Sequence, residues 1–100
     1  STAVDLKKLL REEIFFKIIS FFNDNPASID TPRGVAAWTQ ETRQDAKGAL
    51  LKLAQLKILT AHKVSSTTAY SFTRDPKLIK RIKNEFKLLK KERGDVYGKQ

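Results

Sequence analysis

The chain has 100 residues, of which 40% are hydrophobic and 31% charged, a length and balance that fit one globular domain around one core. It has no cysteine, which excludes disulfides, thiolate nucleophiles and cysteine-based zinc sites and fits a reducing, cytoplasmic setting; no signal-peptide pattern opens it, and no run approaches the roughly 18 apolar residues of a membrane span. Lys and Arg number 20 against 11 acidic residues, a net charge of +9, and such an excess attracts polyanions by releasing their condensed counterions.

Leu6, Leu9, Leu10, Ile14, Ile18 and Phe21 recur at helical spacing and predict a first helix over 5–23, ended by Asn-Asp-Asn-Pro at 23–26. Phe15, Phe16, Ile19 and Phe22 carry apolar surface round to other sides of that helix, more than one groove can cover. Burying each is worth about 1.5–3 kcal/mol, against a domain stability of only about 5–15 kcal/mol. A further packing partner is therefore expected: the last helix, a second subunit, or both. A very short strand over 28–30 precedes a short helix over 32–38, capped by Asp30 or Thr31 with Pro32 in its first position. Val35 and Trp38 are the expected buried side of this helix.

A tight connection over 39–41 leads to a longer helix, with Thr42 and Asp45 at the spacing of a capping box. Ala46, Ala49, Leu50, Leu53, Ala54 and Leu56 share its inner face. Gln44, Lys47, Gly48, Leu51, Lys52 and Gln55 lie opposite, with Arg43 at the edge. Two β-like runs, 58–64 and 69–73, joined by Ser-Ser-Thr-Thr at 65–68, predict a hairpin with Tyr70 and Phe72 on one face. The last helix begins at Asp75-Pro76 and carries Ile79, Ile82, Phe86 and Leu89 at a 3-4-3 spacing, with Leu78 beside them. Gly94 is its expected stop, so that 1–93 form a single domain and 94–100 a disordered tail. Charge gathers on this helix, where Lys77, Lys80, Arg81, Lys83, Lys87, Lys90, Lys91 and Arg93 face only Glu85 and Glu92.

The expected fold is mainly α with a small β-hairpin. Val35-Ala36, then Ala46, Leu50 and Leu53, then Ile58-Leu59 leading into the hairpin resemble a winged helix-turn-helix, as found in small repressors of the arsenic-repressor and multiple-antibiotic-resistance-regulator families. The stretch from Leu53 through Ala69-Tyr70-Ser71-Phe72 to Asp75-Pro76-Lys77-Leu78 is similar to the wing and following helix of the arsenic-repressor type. The resemblance covers about residues 5–92. Such families usually place Gly in the helix-turn-helix turn and just before the hairpin, where Gln40 and Lys57 stand here, and Glu41 takes a commonly apolar position. The cysteine ligands of their metal-responsive members are absent, so metal sensing is not carried over. No metal or cofactor is expected.

The resemblance implies a transcription regulator that binds double-stranded DNA, its second helix lying in the major groove. Thr42, Arg43, Gln44 and Lys47 would then meet base edges, with Gly48 permitting close backbone approach; Arg suits guanine and Gln suits adenine. Lys63, Ser65, Ser66 and Thr67, together with Thr68 and Arg74, could donate to phosphates from the wing. Glu41 and Asp45 oppose phosphate contact. Leu51 projects where DNA readers usually carry polar groups, and it touches either a thymine methyl or a protein partner. Phe15, Phe16, Ile19, Phe22, Ile79, Ile82, Phe86 and Leu89 are the expected homodimer interface; alternatively the two helices cover each other within one monomer. The rival function is a winged-helix protein-protein interaction module within a larger assembly. RNA binding through the Lys-rich helix lacks an aromatic stacking platform. With His62 the single histidine and neither a carboxylate pair nor a nucleophile motif, no enzyme is expected.

Overall fold

The elements run in the order α1 (Leu6–Leu9), α2 (Glu13–Asp24), β1 (Ile29–Asp30), α3 (Pro32–Thr39), α4 (Arg43–Gln55), β2 (Leu59–Val64), β3 (Thr67–Phe72) and α5 (Pro76–Gly98). The computed structural model describes residues 5–98, with side chains through residue 92. The three strands form one antiparallel sheet in the order β1-β3-β2.

The single first helix expected over 5–23 is instead two. After α1 the amides of Arg11 and Glu12 turn back to the carbonyls of Lys8 and Leu9, each at 3.1 Å. These three-residue closures are tighter than an α-turn. The chain then restarts at Glu13 from an extended Glu12. The break leaves α1 packed on α5 while α2 meets α3, α4 and β3 as well as α5.

Packing of α2 takes five of the eight residues of the expected dimer interface into the chain's own core. Ile19, Phe22 and Ile82 are fully buried in the chain's own core, Phe15 and Leu89 are buried, and Phe16, Ile79 and Phe86 pack partly covered against it. Phe16 meets Phe86 edge to face at a centroid distance of 5.5 Å. Helix α5 runs antiparallel along α2, with Lys83 Nζ donating to Asn23 Oδ1 at 3.3 Å and Arg11 Nη2 reaching Glu92 Oε1 at 2.9 Å near the other end. The last helix of the same chain is thus one further partner for α2.

Trp38, expected inside with Val35, is 38% exposed. Its ring lies on Phe21 at 4.4 Å between centroids, and its Nε1 donates to Asp30 Oδ2 at 2.7 Å. Asp30 Oδ1 accepts from the Thr31 amide at 2.8 Å, while the Thr31 hydroxyl caps α3 through the Gly34 amide. This folded-back carboxylate explains the glycine, since a Cβ at position 34 would collide with Asp30 Oδ1.

In the hairpin, Val64 pairs with Thr67 and Lys63 with Thr68, so the loop is only Ser65-Ser66, shorter than the expected four residues. The expected short strand joins the same sheet, Ile29 pairing with Ser71. Strand β3 ends at Phe72 rather than Thr73. Helix α5 starts as expected, with Asp75 Oδ1 accepting from the Lys77 amide at 3.0 Å. Its backbone continues past Gly94 to Gly98, because glycine stops a helix by turning left-handed and no described glycine has positive φ. Residues 99 and 100 of the expected tail lie outside the described residues.

Among the described residues three non-glycine ones are left-handed: Gln40 at φ 65, Lys57 at φ 68 and Ser65 at φ 58. The first two are the positions where the resembling families carry glycine, so the backbone keeps a conformation that the side chain disfavours. Relief of Cβ strain, worth about 1–2 kcal/mol, outweighs the greater freedom glycine gives the unfolded chain, about 0.4–1 kcal/mol. Gln40→Gly and Lys57→Gly are each expected to raise stability by about 0.5 kcal/mol in urea unfolding. An unchanged or lower midpoint would count against this account of the two turns.

Candidate nucleic-acid interface

Helix α4 begins where Thr42, in an extended conformation, accepts the Asp45 amide on Oγ1 at 3.0 Å. That bond satisfies one of the orphan N–H groups of the first turn. Ala46, Ala49, Leu50 and Leu53 are buried, while Ala54 and Leu56, expected on the same inner face, are only half-buried. At 100° per residue, Gln44, Gly48, Leu51 and Gln55 run along the middle of the outer face. Lys47 and Lys52 flank them. All six, and Thr42 and Arg43, are exposed. A Cβ at Gly48 would meet nothing within 4 Å, so the backbone there is bare to solvent. Leu51 is 47% exposed, an apolar side chain in a polar row.

The turn into α4 is held by a residue that sequence reasoning passed over. Lys17, on α2, donates to the Thr39 carbonyl at 2.7 Å, where the end of α3 leaves carbonyls without helical partners. The same ammonium lies 3.3 Å from Glu13 Oε2 and 3.6 Å from Glu41 Oε2. Glu41 is therefore turned onto Lys17, and its charge is matched within the protein. Asp45 stays exposed. The signal for Lys17 was present in the sequence as one charge amid Ile14, Phe15, Phe16, Ile18 and Ile19, four residues after Glu13.

On the wing, Lys63, Ser65, Ser66 and Thr67 are exposed, as is Arg74 beyond it, whereas Thr68 is half-buried. His62 Nε2 lies 2.8 Å from Ser71 Oγ across the hairpin. Strand β2 packs against α4 and follows its C-terminal end, while Arg43, Gln44 and Lys47 occupy its N-terminal half. The expected site residues thus lie on α4 and on the wing that follows it, and all of them but Thr68 are exposed. Among the described residues no group of three or more His, Cys, Asp or Glu could hold a metal ion, and no helix is long and apolar enough to cross a membrane.

Lys17→Met should leave a half-buried carbonyl and Glu41 without their cation. The expected loss is about 1.5–3 kcal/mol in chemical denaturation, the size of a charged hydrogen bond. Hydrogen exchange should rise first at the amides around Gln40 and Glu41; uniform change across the chain would argue against a local clamp.

No protein-family model matches the sequence, and no curated protein matches it either. Solved structures do resemble the fold. The crystal structure of the AntR antimony-specific transcriptional repressor superimposes with a TM-score of 0.67 at 18% identity, covering 88% of this chain and 77% of that one. HlyU from Vibrio cholerae follows at 0.62 and 15% identity, over 86% of this chain and 85% of that one. Human N-acetylserotonin methyltransferase, in complex with SAM, matches at 0.51 and 15% identity over 74% of this chain but 25% of its own. Together with the element order, these likenesses establish a winged helix-turn-helix fold.

Proposed function

We propose that the chain is a transcription regulator that binds duplex DNA and reads the major groove with the N-terminal half of α4. The observation that carries this reading is the exposed set Arg43, Gln44 and Lys47 beside the bare backbone of Gly48, on a helix whose other face is anchored in the core. Arg and Gln side chains match the paired hydrogen-bonding edges of guanine and adenine. The fold likeness to AntR, a transcriptional repressor, supports the same reading. The exposed wing residues Lys63, Ser65, Ser66 and Thr67 add backbone contacts.

A homodimer is part of the proposal, through surface still free of the core. Leu88 is 47% exposed on α5, between Glu85 and Glu92 and beside Lys7 and Arg11 of the first helical turns. Opposite charges flanking an apolar centre suit a two-fold, self-complementary contact. A two-fold dimer would present two α4 helices to successive major grooves. The protein acts in the cytoplasm and performs no chemistry. Leu51 favours a second reading, in which α4 docks onto a protein partner instead.

Duplex affinity should fall steeply with salt, and the triple variant Arg43→Ala, Gln44→Ala, Lys47→Ala should lose discrimination among sequences while unfolding within about 0.5 kcal/mol of the parent, as exposed substitutions do. Undetectable duplex binding by the folded parent sinks this reading and leaves the Leu51 face as the docking site.

Gly48→Ala separates stability from function. Removing a mid-helix glycine should stabilise the fold by about 0.5–1 kcal/mol, yet duplex affinity should drop, since the new methyl stands where backbone meets DNA. Titration calorimetry beside thermal unfolding checks both signs; equal or tighter binding by the stabilised variant excludes close approach at Gly48.

A further inference from the structure

Most of the positive charge on α5 plays no part in the reading by α4. Lys80, Lys83, Lys87, Lys90 and Lys91 follow one another at spacings of three, four, three and one. At 100° per residue these fall on one flank of the helix, and all five are exposed. Glu85, Leu88 and Glu92 fall on the other flank, where Glu92 pairs with Arg11. Among the described residues no carboxylate pairs with the five lysines. Lys83 is the one tied back, to Asn23 Oδ1 at 3.3 Å.

The flank is also set apart from α4. Helix α5 meets α2 through Phe86 on Phe16, whereas the N-terminal half of α4 borders Ile14 and Phe15 of α2. Helix α2 therefore stands between the two surfaces. The contrast in charge is as plain: α4 mixes Arg43, Lys47 and Lys52 with Asp45, while the α5 flank is lysine without a carboxylate.

The lysine chemistry selects a partner. From Lys80 to Lys91 the stripe is about 16 Å long, a length over which duplex DNA carries about ten phosphate charges. Lysine offers a point charge without arginine's planar fork, so it follows a backbone without reading bases. Among the described residues no exposed aromatic accompanies the stripe to stack unpaired bases, and no exposed apolar side chain lies among the lysines to enter a lipid surface. We propose that this flank is a second, sequence-independent phosphate-backbone surface, so that one chain holds two duplex segments, one on α4 and one on α5. The proposal rests on the reading of α4 as a duplex binder.

The test uses the full chain, the variant Lys80→Gln, Lys83→Gln, Lys87→Gln, Lys90→Gln, Lys91→Gln, and the α4 triple variant. An immobilised duplex selected from a random pool captures a second, fluorescent duplex through the protein, and binding to one duplex is measured across salt concentrations. The lysine variant should keep its sequence preference and lose capture of the second duplex at least tenfold. Its salt slope should become shallower by about 0.9 for each lysine that touched a phosphate. The α4 variant should retain salt-dependent binding that is indifferent to sequence. Capture and slope equal to the parent's in the lysine variant overturn the second surface even if α4 proves to read DNA. Failure of the α4 variant to change sequence preference counts against the α4 reading instead. Binding of the parent to phosphatidylserine vesicles, lost in the lysine variant, with no capture of a second duplex, assigns the flank to membrane and also overturns the proposal.

Discussion

Helix α2 carries more apolar surface than any single neighbour can cover, and the rest of the molecule is arranged to bury it. Phe15, Ile18, Ile19 and Phe22 go into the core shared with α3, α4 and the sheet, while Phe16 is left for Phe86 on α5 and Phe21 for Trp38 on α3. Side chains each worth about 1.5–3 kcal/mol cannot be left in water by a domain of ordinary stability. The break at 10–12 follows from the same demand, because it frees α1 to lie on α5 while α2 keeps its own direction. With α2 central, the surfaces of α4 and α5 are held apart.

That arrangement depends on polar contacts at its edges. Lys17 reaches from the buried helix to the last carbonyl of α3 and to Glu41, so the turn that aims α4 is fastened to the core rather than to its own sequence alone. Asp30 works likewise at the start of α3, bridging the Thr31 amide and the Trp38 indole over the space that Gly34 leaves. Both devices join residues from different elements, or across two turns of helix, where a backbone end would otherwise lack a partner. Gln40, next to the carbonyl that Lys17 holds, and Lys57 each keep a left-handed conformation that the side chain disfavours.

The fold by itself does not decide the function. The same winged-helix outline recurs in a transcriptional repressor and within a quarter of a methyltransferase chain, so the difference must lie in what the outer faces carry. Here those faces differ from one another. The α4 face is mixed in charge with one exposed leucine, the wing tip is mostly hydroxyl, and the α5 flank is unbroken lysine. A surface that mixes donors of several shapes suits discrimination; one of uniform point charges suits adhesion to a polyanion.

Sequence alone determined the order of elements from β1 onward, because each is written in local periodicity, caps and turns: Thr31 and Thr42 at their helix starts, Asp75-Pro76 before α5, and alternation through the hairpin. It also determined that α4 would leave Arg43, Gln44, Lys47 and Gly48 outside, since an inner face of alanine and leucine fixes the opposite one. Which partner covers α2 was open, because apolar surface has no address; only the packing of α3, α4, the sheet and α5 together showed that Ile19, Phe22 and Ile82 belong to one chain's core. The same holds for the clamp by Lys17, the outward turn of Trp38 and the neutralised Glu41. These are contacts between residues distant in sequence, selected by shape and charge in three dimensions, and no local period announces them.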